Sequence, residues 1–518
     1  MLFTSWPFLL GFLPIALFGY GIASRHDPRW AKGWLVLASL AFYGFWDPYL
    51  IILISLSVLF NYGCSLAIRN PAANGSRKLN TLRFGIITNL IVLFYYKYFY
   101  SIIAFAFGHG LIHSMGGLSP IVLPLGISFF TFTQIGYLVD CHDGVSKDNS
   151  FIEYVLFVTF FPHLIAGPIL HNGEMVPQFA DNRRYGLKAW NLAPGLTMFA
   201  LGMVKKSLIA DSFSPTVSAG FYNIHHISLA DAWISALSYS LQLYFDFSGY
   251  SDMAIGLAML FNVRFPPNFN SPYKARNIVD FWQRWHMSLT RYLTQYVYNP
   301  IAMWQRRRRI ARGLPMTRKA LGTPQAFTAM VAGPTIATMS LAGIWHGAGV
   351  QYFVFGLLHG VYLSIFHAWK QFGPKPERVP APVSKGRQFV MMAGSVALTY
   401  FAVLLGQIFF RSSSVHDAVG LLTAMAGGHD GSTWHLGQSR PEYIILVAKI
   451  VGAFALCWLA PNSQQIMAES HPILGPPPPA TERLRWQPTP AWSLVTVVLV
   501  VAGLFSISDT SEFLYFKF

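Results

Sequence analysis

A stretch of fifty residues without Asp, Glu, Lys or Arg, residues 320–369, constrains the fold of this chain more than any other feature. Uncharged apolar runs of this kind are typical of membrane-spanning helices, because about twenty apolar residues in a helix cross the hydrocarbon core of a bilayer. The stretch nevertheless contains three histidines, His346, His359 and His367. The charged form of an ionisable side chain is costly at membrane depth, so each histidine is a candidate functional residue. We consider His346, which lies in the sequence GIWHGAG at 343–349, first.

The composition of the whole chain predicts a polytopic membrane protein. Hydrophobic residues make up 53% of its 518 residues and charged residues only 11%, and long apolar runs recur along the sequence. Lys and Arg outnumber Asp and Glu by 37 to 21, which gives a net charge of +16. The basic residues lie in short segments between apolar runs, as in the cytoplasmic loops of membrane proteins. We therefore expect membrane lipids as neighbours of these basic residues and no nucleic-acid partner.

Successive apolar runs predict the order of the membrane helices. The first run has neither a basic n-region nor a small-residue cleavage site, so we interpret it as a retained membrane helix and not as a signal peptide. The basic residues on either side of the next two runs belong in the cytoplasm, which places the N-terminus outside. The predicted spans outside the central stretch are 8–22, 34–46, 49–68, 84–107, 121–139, 193–210, 230–261, 389–409, 443–459 and 492–505.

Three further segments do not fit a simple membrane helix. Residues 151–169 are apolar but contain two proline-bearing interruptions, so we predict a broken or re-entrant segment, which is tolerated at membrane depth only inside protein or along a cavity. Residues 264–303 are too rich in charge and proline to cross lipid freely. Residues 306–319 form the most basic loop, which we assign to the cytoplasm and to lipid headgroups in preference to a ligand site.

Four polar segments stand out in apolar context and are candidate sites: residues 161–163, 244–252 and 281–286, and the surroundings of His346. A single buried histidine is most often a packing residue whose neutral imidazole bonds a backbone carbonyl. Four such segments in one chain favour function, because each carries a cost that lipid packing does not require. His359 and His367 we interpret as packed or interfacial residues.

The chemistry open to these segments is narrow. The sequence contains no GxSxG nucleophile elbow, HExxH zinc helix, Walker A loop or dinucleotide-binding GxGxxG. The cysteines Cys64, Cys141 and Cys457 form no CxxC pair, so we expect neither a disulfide framework nor a bound metal. A neutral histidine is suited to taking a proton from a hydroxyl that attacks an activated carbonyl. Acyl transfer fits this description.

Several longer motifs carry a resemblance to a known family. They are LPLGISFF at 123–130, YLVD at 137–140, FPHLIAGP at 161–168, QLYFDFSGYSDMAIG at 242–256, FWQRWHMSL at 281–289, GIWHGA at 343–348 and FLYFKF at 513–518. With these motifs the chain resembles the membrane-bound O-acyltransferases (MBOAT), and in particular their bacterial polysaccharide-acetylating branch, typified by the alginate O-acetyltransferase membrane component. The D-alanyl-transferring component of teichoic acid modification is a more distant relative.

The resemblance implies an all-α, polytopic integral membrane protein, with re-entrant or broken helices around a central tunnel. It implies one membrane-embedded domain over residues 1–518, with N-terminal helices at about 1–110, a catalytic core at about 120–370 and C-terminal helices at about 388–518. His346 matches the catalytic histidine and His286 its partner. We add supporting candidates for the site, namely Asp246, Arg284, Trp285 and Trp345.

The resemblance also implies the substrates. The donor is a cytoplasmic acyl thioester, commonly acetyl-CoA, and no cofactor stays bound. The acceptor is an exopolysaccharide such as alginate or cellulose, reached directly or through a serine of a periplasmic partner or secretion protein, at the bacterial inner membrane. Residues 299–304, NPIAMW, depart from the Gly-Gly-Asn loop usual in this branch, at a position that would face the donor or a partner.

Two other classes of function remain open from the sequence. One is a multi-pass transporter of acyl groups or glycans that uses Asp246, Asp252 and the histidines as a proton relay. Inverted repeats and paired broken helices in two matching halves, which many transporters have, are not detectable in the sequence. The other is a structural scaffold for polysaccharide secretion, in which His346 and His286 would be replaceable.

Overall fold

Helices form the regular secondary structure of this protein. A computed structural model describes all residues except 113, 115–117, 147–149, 375–383, 429–438, 477–478, 482–483, 508–513 and 515–518, and the side chain of His225. In the described part of the chain, extended backbone pairs only at an isolated bridge between Phe265 and Ile473. The predicted all-α class is confirmed.

Eight of the described helices are long and apolar enough to cross a membrane. They are Pro7–His26, Tyr49–Arg69, Gly75–Gly108, Ala189–Tyr222, Pro324–His346, Val350–Phe372, Lys385–Arg411 and Arg440–Leu459. Large apolar side chains on their outer surfaces, such as Phe18 and Leu398, are exposed, as expected of residues that face lipid. The predicted polytopic character is confirmed.

The remaining helices are shorter or more polar, and some differ from the prediction. They are Pro28–Gly44, Ile127–His142, Phe151–Thr159, Phe161–Leu164, Asn172–Ala180, Leu229–Leu260, Ile278–Trp282, Met287–Leu293, Asn299–Ala311, Arg318–Leu321, Val415–Met425, Ser463–Ile466 and Pro490–Phe505.

Two differences have local causes. The helix predicted from residue 121 begins only at Ile127, after Pro124 and a left-handed Gly126. The helix Asn299–Ala311 contains residues 299–304 and the arginines that follow, which were expected in a loop. Pro300 is compatible with this helix, because it occupies the first turn, where its missing N–H has no consequence. The C-terminal motif at 513–518 lies outside the described residues apart from Leu514, and the proline run 476–479 is described only at its two ends.

The predicted break in residues 151–169 is confirmed. The helix Phe151–Thr159 ends at Phe160, and a single turn with Pro162 near its start follows. His163 lies in that turn, and its Nε2–H donates to the carbonyl oxygen of Phe157 at 3.0 Å. Burial lowers the pKa of His163 to about 4, so the imidazole is neutral at pH 7. This first polar segment is therefore a packed structural element.

Contacts between Cα atoms divide the chain into two compact units. The first unit contains Met1–Leu208, Phe247–Pro267 and the C-terminal part from Ser463, and the second contains Ile209–Asp246 and Asn268–Asn462. The division falls inside the helix Leu229–Leu260.

In the first unit, glycines of the FDFSGYSDMAIG motif provide close packing. A Cβ atom at Gly249 would lie 2.7 Å from the carbonyl oxygen of Gly202, and one at Gly256 would lie 2.6 Å from that of Gly195. Only glycine permits two helix backbones to approach so closely. These positions of the motif therefore serve helix packing.

An ion pair in the same unit accounts for the second carboxylate of the motif. The Nζ of Lys205 donates to Oδ2 of Asp252 at 2.6 Å and to Oγ of Ser463 at 2.6 Å. The Ser463 hydroxyl donates to the same carboxylate oxygen. The pair is a structural tie, and removing either Lys205 or Asp252 would leave the charge of the other uncompensated inside the protein.

In the second unit, a glycine-mediated crossing sets the position of His346. A Cβ at Gly356 would lie 2.2 Å from the carbonyl oxygen of Met339, and one at Gly343 would lie 2.2 Å from that of Tyr352. The helices Pro324–His346 and Val350–Phe372 therefore pack backbone against backbone, in the small-residue manner of membrane helices.

We predict that Gly356→Ala destabilises the protein, because the new methyl group must displace a backbone carbonyl. Overpacking of this kind costs on the order of 1–3 kcal/mol, and we expect a lower denaturation temperature in detergent. Gly452→Ala is the matched control, since nothing lies within 4 Å of a Cβ at that helical position. Equal denaturation temperatures for the two variants would contradict the proposed crossing.

Candidate active site

The six candidate site residues all belong to the second compact unit. They are His346, His286, Asp246, Arg284, Trp285 and Trp345. The sequence places them up to a hundred residues apart, and the fold brings them into one unit of packed helices.

His346 is the last residue of the helix Pro324–His346. The next residue, Gly347, is extended, with φ −168° and ψ 165°, and the following helix begins at Val350. A Cβ at Gly347 would lie 2.2 Å from the ring of Tyr352, so the glycine makes room for that ring. The C-terminal end of a helix favours positive charge, which an imidazole acquires when it accepts a proton.

Aromatic rings surround the His346 imidazole. Its ring centroid lies 4.9 Å from that of Trp345, 5.0 Å from that of Phe410 and 6.2 Å from that of Phe355. His346 is 7% exposed. The aromatic rings limit the access of water to the imidazole.

His286 has an unusual backbone and is almost completely buried. It lies in the turn between the helices Ile278–Trp282 and Met287–Leu293, with φ 44° and ψ 52°, and is 1% exposed. A left-handed conformation is strained for a residue other than glycine and is common at functional sites. The N–H of Met287 bonds the carbonyl oxygen of Asn268 at 2.9 Å and holds the turn in place.

The side chain of Asn268 determines which nitrogen of His286 carries the proton. The backbone N–H and the hydroxyl of Ser288 approach Oδ1 of Asn268 at 3.3 and 2.8 Å. A backbone N–H can only donate, so the atom facing it is the amide oxygen. Nδ1 of His286 lies 3.0 Å from the same oxygen and must therefore donate its proton. In the neutral imidazole, Nε2 then carries the lone pair and can accept a proton.

Burial keeps the His286 imidazole neutral. His286 lies outside the eight candidate spans. Desolvation lowers its pKa to about 3, because the charged form loses its water. At pH 7 the ring is thus a neutral base with a fixed tautomer.

Two neighbours of His286 stabilise its loop. Nε of Arg284 donates to Oδ1 of Asp280 at 2.6 Å, and Nη1 of Arg284 donates to the carbonyl oxygen of Asn270 at 3.3 Å. The ring of Trp285 stacks on that of Phe281 at 5.7 Å. These contacts join the segment that carries His286 to the residues around it.

The remaining two candidates are buried. Asp246 is 1% exposed and lies two helical turns after Tyr239, with which it interacts electrostatically. Trp345 is buried directly before His346.

Asn268 was not identified from the sequence, and neither was the contact of His359 with the FWQRWH segment. Nε1 of Trp282 donates to Nδ1 of His359 at 3.3 Å, so His359 is a packed residue, as predicted, but it contacts the FWQRWH segment. A Cβ at Gly406 would lie 2.6 Å from Nε2 of His359, so glycine at this position admits the ring. No local signal distinguishes Asn268 from the other polar residues of its loop.

A cavity of about 300 Å³ lies in the same unit. Threonines and other polar side chains line it together with apolar ones, and Trp282 forms one wall. The hydroxyl of Thr338 is buried there and has no hydrogen-bond partner among the described residues. The lining residues are Val279, Trp282, Gln283, Thr290, Leu293, Thr294, Tyr298, Thr335, Thr338, Met339, Leu363 and His367.

A mixed apolar and polar cavity of this kind is typical of a small-molecule site. His367, predicted to be packed or interfacial, lines it. Within the described ranges, no group of three His, Cys, Asp or Glu side chains is placed to hold a metal ion.

Comparison with known proteins gives concordant matches. Residues 141–314 match the family described as MBOAT, membrane-bound O-acyltransferase family. A peptidoglycan O-acetyltransferase of Helicobacter pylori is 36% identical over 476 residues, which are 86% of this chain and 83% of that protein. A "Probable alginate O-acetylase AlgI" of Pseudomonas putida is 31% identical over the full length of both chains. A teichoic acid D-alanyltransferase of Bacillus subtilis is 27% identical over 56% of this chain and 69% of its own.

We predict that His286 stays neutral, with its proton on Nδ1, between pH 5 and pH 8. Its folded pKa of about 3 is below the ordinary value of 6.5, so a proton binds only on unfolding, and the contribution of the neutral ring to stability declines as the pH falls below about 6.5. ¹⁵N NMR of histidine-labelled protein measures the tautomer, with His286→Gln as the assignment control. A His286 signal that titrates near pH 6.5, or an Nε2–H tautomer, would contradict the geometry.

Proposed function

The chain belongs to the membrane-bound O-acyltransferase family, and we propose that it transfers an acetyl group from a thioester to an exopolysaccharide, with His346 as general base. The observation that carries this proposal is the placement of two buried histidines in one compact unit, one at a helix end and one with a fixed basic tautomer. General-base catalysis of acyl transfer by a histidine requires neither a metal ion nor a covalent intermediate.

In the proposed mechanism, the oxygen of an acceptor hydroxyl attacks the thioester carbonyl while His346 takes its proton. The tetrahedral intermediate collapses, the carbon–sulfur bond breaks, and the imidazolium of His346 returns the proton to the departing thiolate. His286 cannot polarise the carbonyl in its neutral form, because its only N–H is bound to Asn268. We therefore assign it an orienting role, in which Nε2 accepts a hydrogen bond from a reacting group.

We assign the donor to the cavity lined by Trp282 and Thr338. The sequences 306–319 and 370–387, which flank the helices of this cavity, are basic and by the positive-inside rule lie in the cytoplasm. Leu363 and His367 lie in the half of the helix Val350–Phe372 that is nearer its basic end. A cytoplasmic acetyl-CoA could thus enter with its thioester toward Trp282. Acetyl-CoA is here a substrate and not a bound cofactor.

The acceptor follows from the relatives. Proteins named for peptidoglycan and alginate acetylation match most of this chain. We propose a polysaccharide acceptor outside the inner membrane of a bacterium, with alginate and cellulose as candidates alongside peptidoglycan. The acetyl group reaches it directly or through a periplasmic partner protein.

The structure weakens the transporter alternative at one residue. A proton relay needs a carboxylate whose protonation can change freely. Asp252 is instead bound to Lys205 and Ser463 in a structural ion pair. We therefore prefer the enzyme to the transporter.

We predict that His346→Ala lowers acetyl transfer by roughly 10² to 10⁴, the usual contribution of a general base. The measurement is transfer of radiolabelled acetyl groups by membranes with equal amounts of each variant. His109→Ala is the control and should retain activity, because His109 is an exposed histidine that follows another helix. Full activity of His346→Ala would exclude the mechanism and favour a scaffold.

We also predict that Thr335→Trp raises the KM for acetyl-CoA on the order of tenfold, because the indole would fill the cavity and weaken donor binding. Thr328→Trp is the matched control, since Thr328 lies two turns earlier in the same helix and is exposed. Equal KM values for the two variants would place the donor elsewhere.

A further inference from the structure

An open cavity of about 980 Å³ lies in the first compact unit, which contains none of the six candidate site residues. Three parts of the chain line it. They are the start of the helix Ala189–Tyr222, Arg264 in the turn after the helix Leu229–Leu260, and described residues between 468 and 488. The proposed reaction makes no use of this cavity.

Neutral groups hold the guanidinium of Arg264 in place at the cavity wall. Nε of Arg264 donates to the carbonyl oxygen of His471 at 2.7 Å, and Nη2 donates to Oδ1 of Asn191. Nδ2 of Asn191 in turn donates to Oδ1 of Asn262 at 2.7 Å, which fixes the orientation of the Asn191 amide. Because both acceptors of the guanidinium are uncharged, they leave its positive charge uncompensated.

The charged groups around Arg264 do not compensate it either. Among the described residues no carboxylate forms an ion pair with Arg264, and its Nη1 is buried without a hydrogen-bond partner. Glu469, an acid that lines the cavity, is paired with Arg485. Burial and the like charge of Arg184 lower the pKa of Arg264 to about 10, so the group stays protonated at pH 7. An anion in the cavity would offset both unfavourable effects.

The topology places the cavity at the cytoplasmic surface of the membrane. Arg183, Arg184 and Lys188 directly precede the helix Ala189–Tyr222, and the positive-inside rule assigns such a basic segment to the cytoplasm. Trp190, in the first turn of that helix, lines the cavity and is 72% exposed. Exposed tryptophans at the ends of membrane helices are typical of the headgroup region. The cavity therefore lies at the depth of the phospholipid headgroups.

The walls of the cavity favour an amphiphilic ligand. Arg264 and Asn191 contribute to a polar side, whereas Trp190, Ala193 and Pro194 form an apolar side that continues along the membrane span. A free phosphate ion would contact only the polar side. A phospholipid matches both sides, because its phosphate suits a guanidinium and its acyl chains suit the apolar surface.

We propose that this cavity binds the headgroup of an anionic phospholipid from the cytoplasmic leaflet, with the phosphate on Arg264 and the glycerol and acyl chains along Trp190 and Ala193. Arg264 is then a lipid-binding residue and takes no part in acyl transfer. The proposal does not depend on the proposed function, because every lining residue of the cavity belongs to the first compact unit.

The test compares an anionic with a zwitterionic phospholipid of identical acyl chains. Purified full-length protein, delipidated in detergent, is titrated with dioleoylphosphatidylglycerol and with dioleoylphosphatidylcholine. Native mass spectrometry measures the dissociation constant of the first bound lipid. We expect the wild type to bind the phosphatidylglycerol at least about tenfold more tightly, because the choline group of the other lipid adds a cation to a site that is already basic.

Two variants test the cavity independently. Arg264→Gln removes the charge and should abolish the preference for the anionic lipid. Its matched control is Arg183→Gln, which removes an exposed arginine that is paired with Asp181 and should keep the preference. Ala193→Trp fills the cavity, replaces no residue that bonds Arg264, and should also abolish the preference. Its matched control is Leu196→Trp, at an exposed position of the same helix outside the cavity lining.

Two results would overturn the proposal. The first is a wild type that binds both lipids equally. In that case separate titrations with inorganic phosphate and with coenzyme A, each compared between the wild type and Arg264→Gln, show whether the cavity takes a soluble phosphate instead. The second is a folded Arg264→Gln or Ala193→Trp that loses no more of the preference than its control does. Denaturation temperatures show which variants are folded, and Ala193→Trp decides alone if Arg264→Gln is not.

Discussion

Burying a polar side chain costs free energy unless the side chain finds a hydrogen-bonding partner, and this constraint shapes the buried polar groups of the protein. His163 bonds a backbone carbonyl and Asp252 a lysine, and both are thereby tied to structure. The Nδ1–H of His286 donates a hydrogen bond to Asn268, and Nε2 keeps a lone pair. The cost of burial is of the same kind in each case, and we propose a chemical role for His286 because it belongs to the same compact unit as His346.

The second constraint is backbone packing by glycine. Gly356 admits a carbonyl oxygen of the neighbouring helix, and Gly347 admits the ring of Tyr352 beside His346. In a bilayer the hydrophobic effect does not drive apolar helix surfaces together. Close van der Waals contact at small residues stabilises helix packing instead. The position of the proposed base is therefore set by residues that carry no chemistry. The same motif that suggests a reaction also contains glycines whose role is packing, as at Gly249.

Helix positions were predictable where the signal is local, and site contacts were not. The apolar run at 49–68 corresponds to the helix Tyr49–Arg69, because length and hydrophobicity alone define a span. The helix Val415–Met425 was missed, because its eleven residues are too few to cross a bilayer. His346 was selected from its uncharged context, and His286 from a polar segment and the family resemblance. The hydrogen bond between His286 and Asn268 joins residues eighteen positions apart through a strained turn that no periodicity encodes.

The central claim is that His346 and His286 act on one thioester. The most direct measurement is a cryo-electron microscopy structure of the protein in nanodiscs with a non-hydrolysable acetyl-CoA analogue. We predict that the acyl carbonyl lies near the His346 imidazole. The space between them should admit an attacking hydroxyl within hydrogen-bond distance of the ring, about 3 Å. Nε2 of His286 should face the same ligand. An analogue bound in the second unit with its carbonyl remote from both rings would contradict the account.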